Sequence, residues 1–235
     1  MGDEPKLIAS TEEVFVLYKP AGMPAQRDET GDLDVLTWAR QHTGESLHLV
    51  HRIDRPVGGL MVVARTPQAA AIWTQHFQKG KVAKTYLAVV QPPIYPPFGE
   101  LRHYLYKDSQ RHRAIIYHKP SPERALALLR YQTLEVRGEL ALVWVEPRTG
   151  RFHQIRAQLA EMGSPIVGDV KYGYPPPAPN PQQIALWALC LDKWQIPPPL
   201  LHYPWSLFAQ KIQQVTTSLK ESEKHSPSDK NRKSS

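Results

Sequence analysis

Apolar positions along this chain cluster into short dense runs, set apart by proline, glycine and charged residues. Glu13 to Lys19 (EVFVLYK) reads as a strand, closed by a turn at Pro20-Ala21-Gly22. Leu33 to Gln41 fits a short helix with Leu36 and Trp38 inward. Gly58 to Arg65 (GGLMVVAR) is near-continuously apolar, the mark of a buried strand. Thr66-Pro67 then reads as a helix N-cap with proline in the first turn. The helix that follows places Ala69, Ile72, Trp73 and Phe77 on one face, with Gly80 as its stop. Lys84 to Val90 (KTYLAVV) is a further strand, and Leu126 to Val136 with Leu140 to Pro147 form a hairpin around Arg137-Gly138. Gly150 to Met162 is predicted as a helix with Phe152, Ile155, Leu159 and Met162 in one stripe. Ile184 to Leu191 is too short to distinguish strand from helix. Two proline loops, 91–99 and 175–181, punctuate the pattern. The elements predict one α+β domain over 13–215, between an extension (1–12) and a solvated, disordered tail (216–235).

Composition narrows the class. Of 235 residues, 41% are hydrophobic and 22% charged, which excludes a wholly disordered or collagen-like chain. A single cysteine, Cys190, excludes an internal disulfide and a cysteine-rich zinc site. Its place in an apolar run reads as a buried, inert thiol. No run approaches the roughly 20 apolar residues of a membrane span, and the opening MGDEPKLIAS is not a signal peptide. A cytoplasmic protein without membrane association is expected. The net charge is +7, unevenly spread: residues 1–34 hold 3 basic and 8 acidic side chains, so the remainder carries +12. A basic body of this kind fits a polyanionic partner such as nucleic acid, and equally fits a merely soluble basic protein.

Three segments carry the candidate chemistry. His51-Arg52-Ile53-Asp54-Arg55 puts one carboxylate between two arginines, in a loop entering a buried strand. Such a carboxylate stays ionised at neutral pH and is a credible nucleophile, although structural Asp–Arg pairs are common. Gly150-Arg151-Phe152-His153-Gln154-Ile155-Arg156 opens a predicted helix, with His153 and Arg156 three apart on one polar face. That face is either solvated or set to meet an anion near the helix start. Tyr86, on the strand beginning at Lys84, either packs in the core or stacks on a nucleobase.

HRIDRPVGGL, KTYLAVV and GRFHQIRAQLAEMGSPIVGDVKYG together resemble the three signature blocks of the RluA-type RNA pseudouridine synthases, and VLYKPAGMPAQ resembles that family's Lys-Pro-x-Gly turn. The likeness runs from about Val14 to about Leu207. It implies a mixed, mostly antiparallel sheet flanked by helices and crossed by a cleft. It further implies isomerisation of uridine to pseudouridine in rRNA or tRNA, with no metal and no cofactor. Asp54 matches the family's catalytic aspartate, acting at C1′, on the base, or through a glycal. Tyr86 matches the tyrosine against the target base, Arg156 the arginine paired with the carboxylate, and Arg52 the arginine that fills the space of the flipped nucleotide. Arg55, Lys84, Arg151 and His153 flank these positions as RNA-binding candidates. There are departures: the family commonly has Thr-Ser-Gly-Leu where Val57-Gly58-Gly59-Leu60 stands, often Thr at Phe152, and often His at Trp187.

With only about 13 residues before the first strand, no S4-type RNA-binding domain is expected ahead of the catalytic region, and the grip on RNA is expected to fall to the catalytic domain. The basic-aromatic stretch 102–113 is the candidate, with Lys107, Arg111 and Arg113 on phosphates and Tyr104 or Tyr106 stacking; a solvated charged loop is the plain alternative. Leu60 or Ile184 is expected to supply an apolar wall. A monomer is expected, because the constellation fits in one chain. Two other classes compete. A synthase-like RNA-binding module or chaperone without catalysis is weakened because all four expected positions are filled. A glycosidase usually needs two carboxylates, and none lies between Asp54 and Glu100 or in 150–160.

Overall fold

The computed structural model describes residues 4–180 and 182–224. In chain order the strands and helices are β1 (Lys6–Ser10), β2 (Val14–Lys19), α1 (Val35–Thr43), β3 (His48–Leu49), β4 (Gly58–Ala64), α2 (Pro67–Gln78), β5 (Lys84–Val90), β6 (Phe98–Asp108), β7 (Arg113–Tyr117), β8 (Ala125–Arg137), β9 (Leu140–Pro147), α3 (Gln154–Glu161), β10 (Leu186–Leu191), β11 (Trp194–Gln195) and α4 (Ala209–Lys224). The strands form one sheet in the order β1-β2-β4-β10-β5-β9-β8-β6-β7, with β3 added to β4 and β11 to β10. Every pairing is antiparallel except β10 with β4. The α+β class and the mostly antiparallel sheet therefore follow the sequence reading. The ambiguous run at 184–191 resolves as a strand at the centre, inserted between β4 and β5. None of the described helices is long and apolar enough to cross a membrane.

The caps form as the sequence demands. Thr66 accepts from the Ala69 N–H at the start of α2, and Asp34 accepts from the Thr37 N–H at the start of α1. On α2 the inward face is Ala69, Trp73 and Phe77; Ile72 instead stands 47% exposed.

Both expected terminal segments differ from the sequence reading. Residues 6–10 are an edge strand paired to β2, so much of the 1–12 extension belongs to the sheet. Beyond 216 the backbone continues as α4 to Lys224; residues 225–235 lie outside the described ones. Ile212, Val215 and Leu219 recur at helical spacing, Ile212 is fully buried, and Leu219 packs on the main core. One apolar residue per turn is enough to seat a polar helix.

The stretch 102–113 is not a loop either. It is the end of β6, a turn, and the start of β7, paired from Asp108↔Arg113 to Tyr104↔Tyr117. Alternating apolar residues, Leu101 and Leu105 inward, explain the strand beneath its charges.

Two departures from the resembled pattern meet at the β4–β10 junction, where Trp187 pairs with Gly58. A Cβ on Gly58 would lie 2.4 Å from a Trp187 ring carbon. The bare glycine thus makes room for the indole, which is buried and donates its N–H to the Ile196 carbonyl at 2.8 Å. Next along, Gly59 has φ +122°, and a Cβ there would fall 2.3 Å from the Ala188 carbonyl oxygen. Gly58→Ser alone is expected to destabilise by about 1–3 kcal/mol through overpacking. Trp187→His alone is expected to destabilise by a similar or larger amount. Because each change relieves the other, the double variant should lose less than the sum, measured by urea denaturation.

Candidate active site

Asp54 sits in the loop between β3 and β4, and the chemistry of that loop begins with its anchors. Ile53 and Val57 are buried on either side, and the Val57 N–H donates to the Asp54 carbonyl at 3.0 Å. Lys19, at the end of β2, is fully buried. Its ammonium donates to the carbonyls of Pro20 (2.9 Å), Met23 (2.7 Å) and Arg55 (3.1 Å), tying the turn after β2 to the Asp54 loop. Burial pushes this amine down to about 7, with Asp54 acting in the opposite sense.

Arg55, expected to meet RNA, is instead spent on the same fastening. Its guanidinium donates to the Gly22 carbonyl at 2.9 Å, to Thr30, and to the carboxylates of Asp28 and Asp32. The acidic segment 24–34 supplies both carboxylates, which is why the arginine turns toward it.

Arg156 lies on α3 and is buried. The helix begins at Gln154 rather than at Gly150; residues before it form a turn, and His153 caps it with φ +51°. Arg156 therefore does not share a solvated face with His153. Its Nη1 donates to Asp54 Oδ2 at 3.2 Å, as expected from the resemblance. Its stronger commitment is to a residue that sequence reasoning missed. Nε and Nη2 donate to the two carboxylate oxygens of Asp169, at 2.7 and 2.9 Å, and Asp169 is 1% exposed. Burial works against the charge on Arg156, and Asp169 and then Asp54 more than offset it, so the guanidinium is held charged. Asp169 stands in the quoted segment SPIVGDVKYG, but thirteen residues from Arg156 no helical or strand spacing links the two.

His153 is also inside the site rather than on the surface. Its Nδ1 lies 2.9 Å from the Tyr172 hydroxyl, which accepts from the Ala114 N–H at 2.6 Å. Its Nε2 faces Asp54 Oδ2 at 3.6 Å. Burial, then the charges of Arg156, Lys171 and Arg52, lower its pKa to about 2, so the imidazole is neutral and the pair is not a salt bridge. The nearby carboxylate favours the proton on Nε2, with the Tyr172 hydroxyl donating to Nδ1.

Tyr86, on β5, completes the inner wall. Burial and then the charge of Asp54 raise its phenol, so it stays neutral across physiological pH. Arg52 is exposed at the mouth, its guanidinium 6.0 Å from the Phe152 ring centre. Lys107 approaches the same ring at 5.2 Å, and Phe152 stacks on His153 with centroids 3.8 Å apart. Arg113 lies over Tyr172, 5.1 Å from its ring centre. Arg111 is exposed beside Asp108, and Arg151 donates to the Leu126 carbonyl at 2.9 Å while remaining exposed.

Asp54, Arg52, Ile53, His153 and Arg156 form a ridge between two cavities. One, about 390 Å³, is walled by Tyr86, Val57, Leu186, Lys84 and His51. The other, about 830 Å³, opens toward Arg27, Phe152, Lys171 and the proline loop at Pro177. Ile184 lines the second cavity. Leu60 lines neither; it is fully buried in the core between β4 and α2, so the apolar wall is Ile53, Val57 and Leu186 instead.

Comparison with known proteins identifies the family and the fold. Residues 13–161 match the family model described as RNA pseudouridylate synthase. That span includes Asp54, Tyr86 and Arg156 and stops short of Asp169 and β10. The chain is 30% identical over 177 residues to tRNA pseudouridine synthase C of Haemophilus ducreyi, covering 69% of this chain and 71% of that protein. It is 30% identical over 192 residues to ribosomal large subunit pseudouridine synthase C of Rickettsia conorii, covering 80% of this chain and 63% of that protein. The solved structure of human RNA pseudouridylate synthase domain containing 1 shares the fold, with TM-score 0.71 and 22% identity over 92% of this chain and 95% of that one.

The Arg156–Asp169 clamp predicts an asymmetry between two substitutions. Arg156→Ala strands a buried carboxylate and should cost about 3–5 kcal/mol in denaturant unfolding. Asp169→Asn keeps the volume but removes the charge, and should lower turnover more than it lowers stability as Arg156 loses its orientation.

Proposed function

The chain belongs to the RNA pseudouridylate synthase family, and on that premise we propose that Asp54 is the group through which it converts a uridine of rRNA or tRNA to pseudouridine. The observation that carries the assignment is the pairing of Asp54 Oδ2 with Arg156 Nη1 at 3.2 Å, in a cavity walled by Tyr86.

In the reaction the N1–C1′ bond breaks, a C5–C1′ bond forms, the C5 hydrogen leaves as a proton and N1 gains one. Mass is conserved, so neither oxidant nor water is consumed. An ionised carboxylate serves each route to this outcome: attack on C1′, attack on the base, or proton removal toward a glycal. Arg156 pairs with that carboxylate and fixes the direction of Oδ2. Tyr86 offers the extruded base a flat, neutral surface, and Ile53, Val57 and Leu186 keep water from the sugar. Extrusion of the nucleotide costs a few kcal/mol, and Arg52, free at the mouth, is suited to occupy the vacated place. Lys107, Arg111, Arg113 and Arg151 offer positive charge on the approach, with Lys107 beside Phe152.

Asp169 is a second carboxylate close in space, but it is 1% exposed and both its oxygens accept from Arg156, which places it poorly as a glycosidase's second carboxylate.

The reading is tested by tritium release from C5-tritiated rRNA and tRNA, without added metal. Wild type should release tritium from at least one pool. Asp54→Ala should lose at least about a hundredfold in rate while retaining fold and RNA affinity. Release of free uracil would point to hydrolysis, and no release with RNA binding retained would point to a binding module.

A further inference from the structure

Beyond Tyr86 the smaller cavity continues to a polar end that the chemistry at Asp54 does not use. Lys84 precedes Tyr86 by two residues on β5, so both side chains leave the same face, about 7 Å apart along the strand. The Lys84 ammonium is half-buried, and among the described residues it makes no hydrogen bond and no ion pair. Burial alone lowers its pKa; no carboxylate contributes. Burying charge without a partner is costly, and an unpaired ammonium lining a cavity is available to an anion.

The surroundings are shaped for an anion. His51 lies in the same cavity, stacked on Phe77 with centroids 4.2 Å apart. Its Nε2 accepts from the Val62 backbone N–H at 2.9 Å, so the neutral ring carries its proton on Nδ1. Burial and then the charge of Lys84 hold that ring neutral, at about 3, which makes it a fixed donor rather than a base. No described group accepts from Nδ1. Gly150 lies beside the ammonium with no side chain: a Cβ there would come 3.6 Å from Lys84 Nζ. Thr74 and Gln78 of α2 line the same end.

We propose that Lys84 and His51 form a site for a phosphate of the RNA backbone next to the target nucleotide, setting which uridine is presented to Asp54. The inference rests on the reading of this cavity as the RNA-modifying site and adds to it the group that reads register. The site takes the phosphate about 7 Å along the strand from the stacked base.

The test titrates uridine, uridine 3′-monophosphate and uridine 5′-monophosphate into the full chain by calorimetry, for wild type, Lys84→Met and Lys84→Arg. One monophosphate should bind wild type at least tenfold more tightly than uridine, and which one it is identifies the phosphate. Lys84→Met should abolish that advantage and Lys84→Arg should keep it. With pooled tRNA and rRNA, Lys84→Met should reduce the salt slope of binding by about 1. The substitution should also leave the melting temperature equal or higher, because the ammonium has no partner to lose. Equal binding of all three ligands to wild type, an advantage retained by Lys84→Met, or a marked fall in its melting temperature each overturns the proposal. Tritium release from wild type is scored separately: its absence removes the synthase reading and leaves the monophosphate result standing, and its presence without a monophosphate advantage removes only the phosphate site.

Discussion

The Arg156 guanidinium is the fixed point to which the rest of the site refers. Two of its nitrogens are bound to Asp169 and a third reaches Asp54, so one rigid planar cation holds two carboxylates at defined angles. The outer carboxylate, with 22% of its side chain accessible, lies on both cavities; the inner one, at the edge of the larger cavity, is almost wholly covered at 1%. Asp169 thereby lets Arg156 stay charged while buried, and Arg156 gives Asp54 a direction. Neither function survives without the other. Around this pair the protein has placed uncharged polar groups, neutral His153 and the phenols of Tyr86 and Tyr172, that tolerate the field without competing for the carboxylate.

A second set of fastenings fixes the other side of the same carboxylate. Lys19 gathers three backbone carbonyls from two loops, and Arg55 ties the acidic segment to the residue next to Asp54. Both are cations used for internal architecture. Neither side chain is available to a polyanion. Exposed charges near the cavities include Arg27, Arg52, Arg151 and Lys171, and Lys107, Arg111 and Arg113 stand on or between the paired strands β6 and β7.

Much of this was legible in the sequence, for identifiable reasons. Continuous apolar runs marked β2, β4 and β5, and Thr66-Pro67 marked the start of α2. The residues facing each other across the site, Asp54, Tyr86 and Arg156, lie in blocks whose likeness to a known family is dense. Asp169 was not assigned, because its role is defined by a contact across a turn that no periodicity encodes. His153 and Arg55 were misplaced for a related reason: a polar residue's partner, not its type, decides whether it faces solvent. The helix beyond Thr216 was missed because one apolar residue per turn looks like noise in a Ser/Lys-rich segment. Conversely, Gly58 and Trp187 read as two unrelated oddities in sequence and are a single packing unit in space.

The position of β10 has a consequence for how the enzyme comes into being. It lies between β4 and β5, joining the part of the sheet that carries the Asp54 loop to the part that carries Tyr86. Both of those parts are made early, and the strand between them is made far later. During synthesis a nascent chain can pair β1 with β2 and β4, and β5 with β9, yet the two halves have no common edge until residues 186–191 emerge. Until then the edges of β4 and β5 that β10 will pair stand open. Completion of the sheet across the catalytic cleft thus waits for residues 186–191, which follow every other strand of its main path in the sequence.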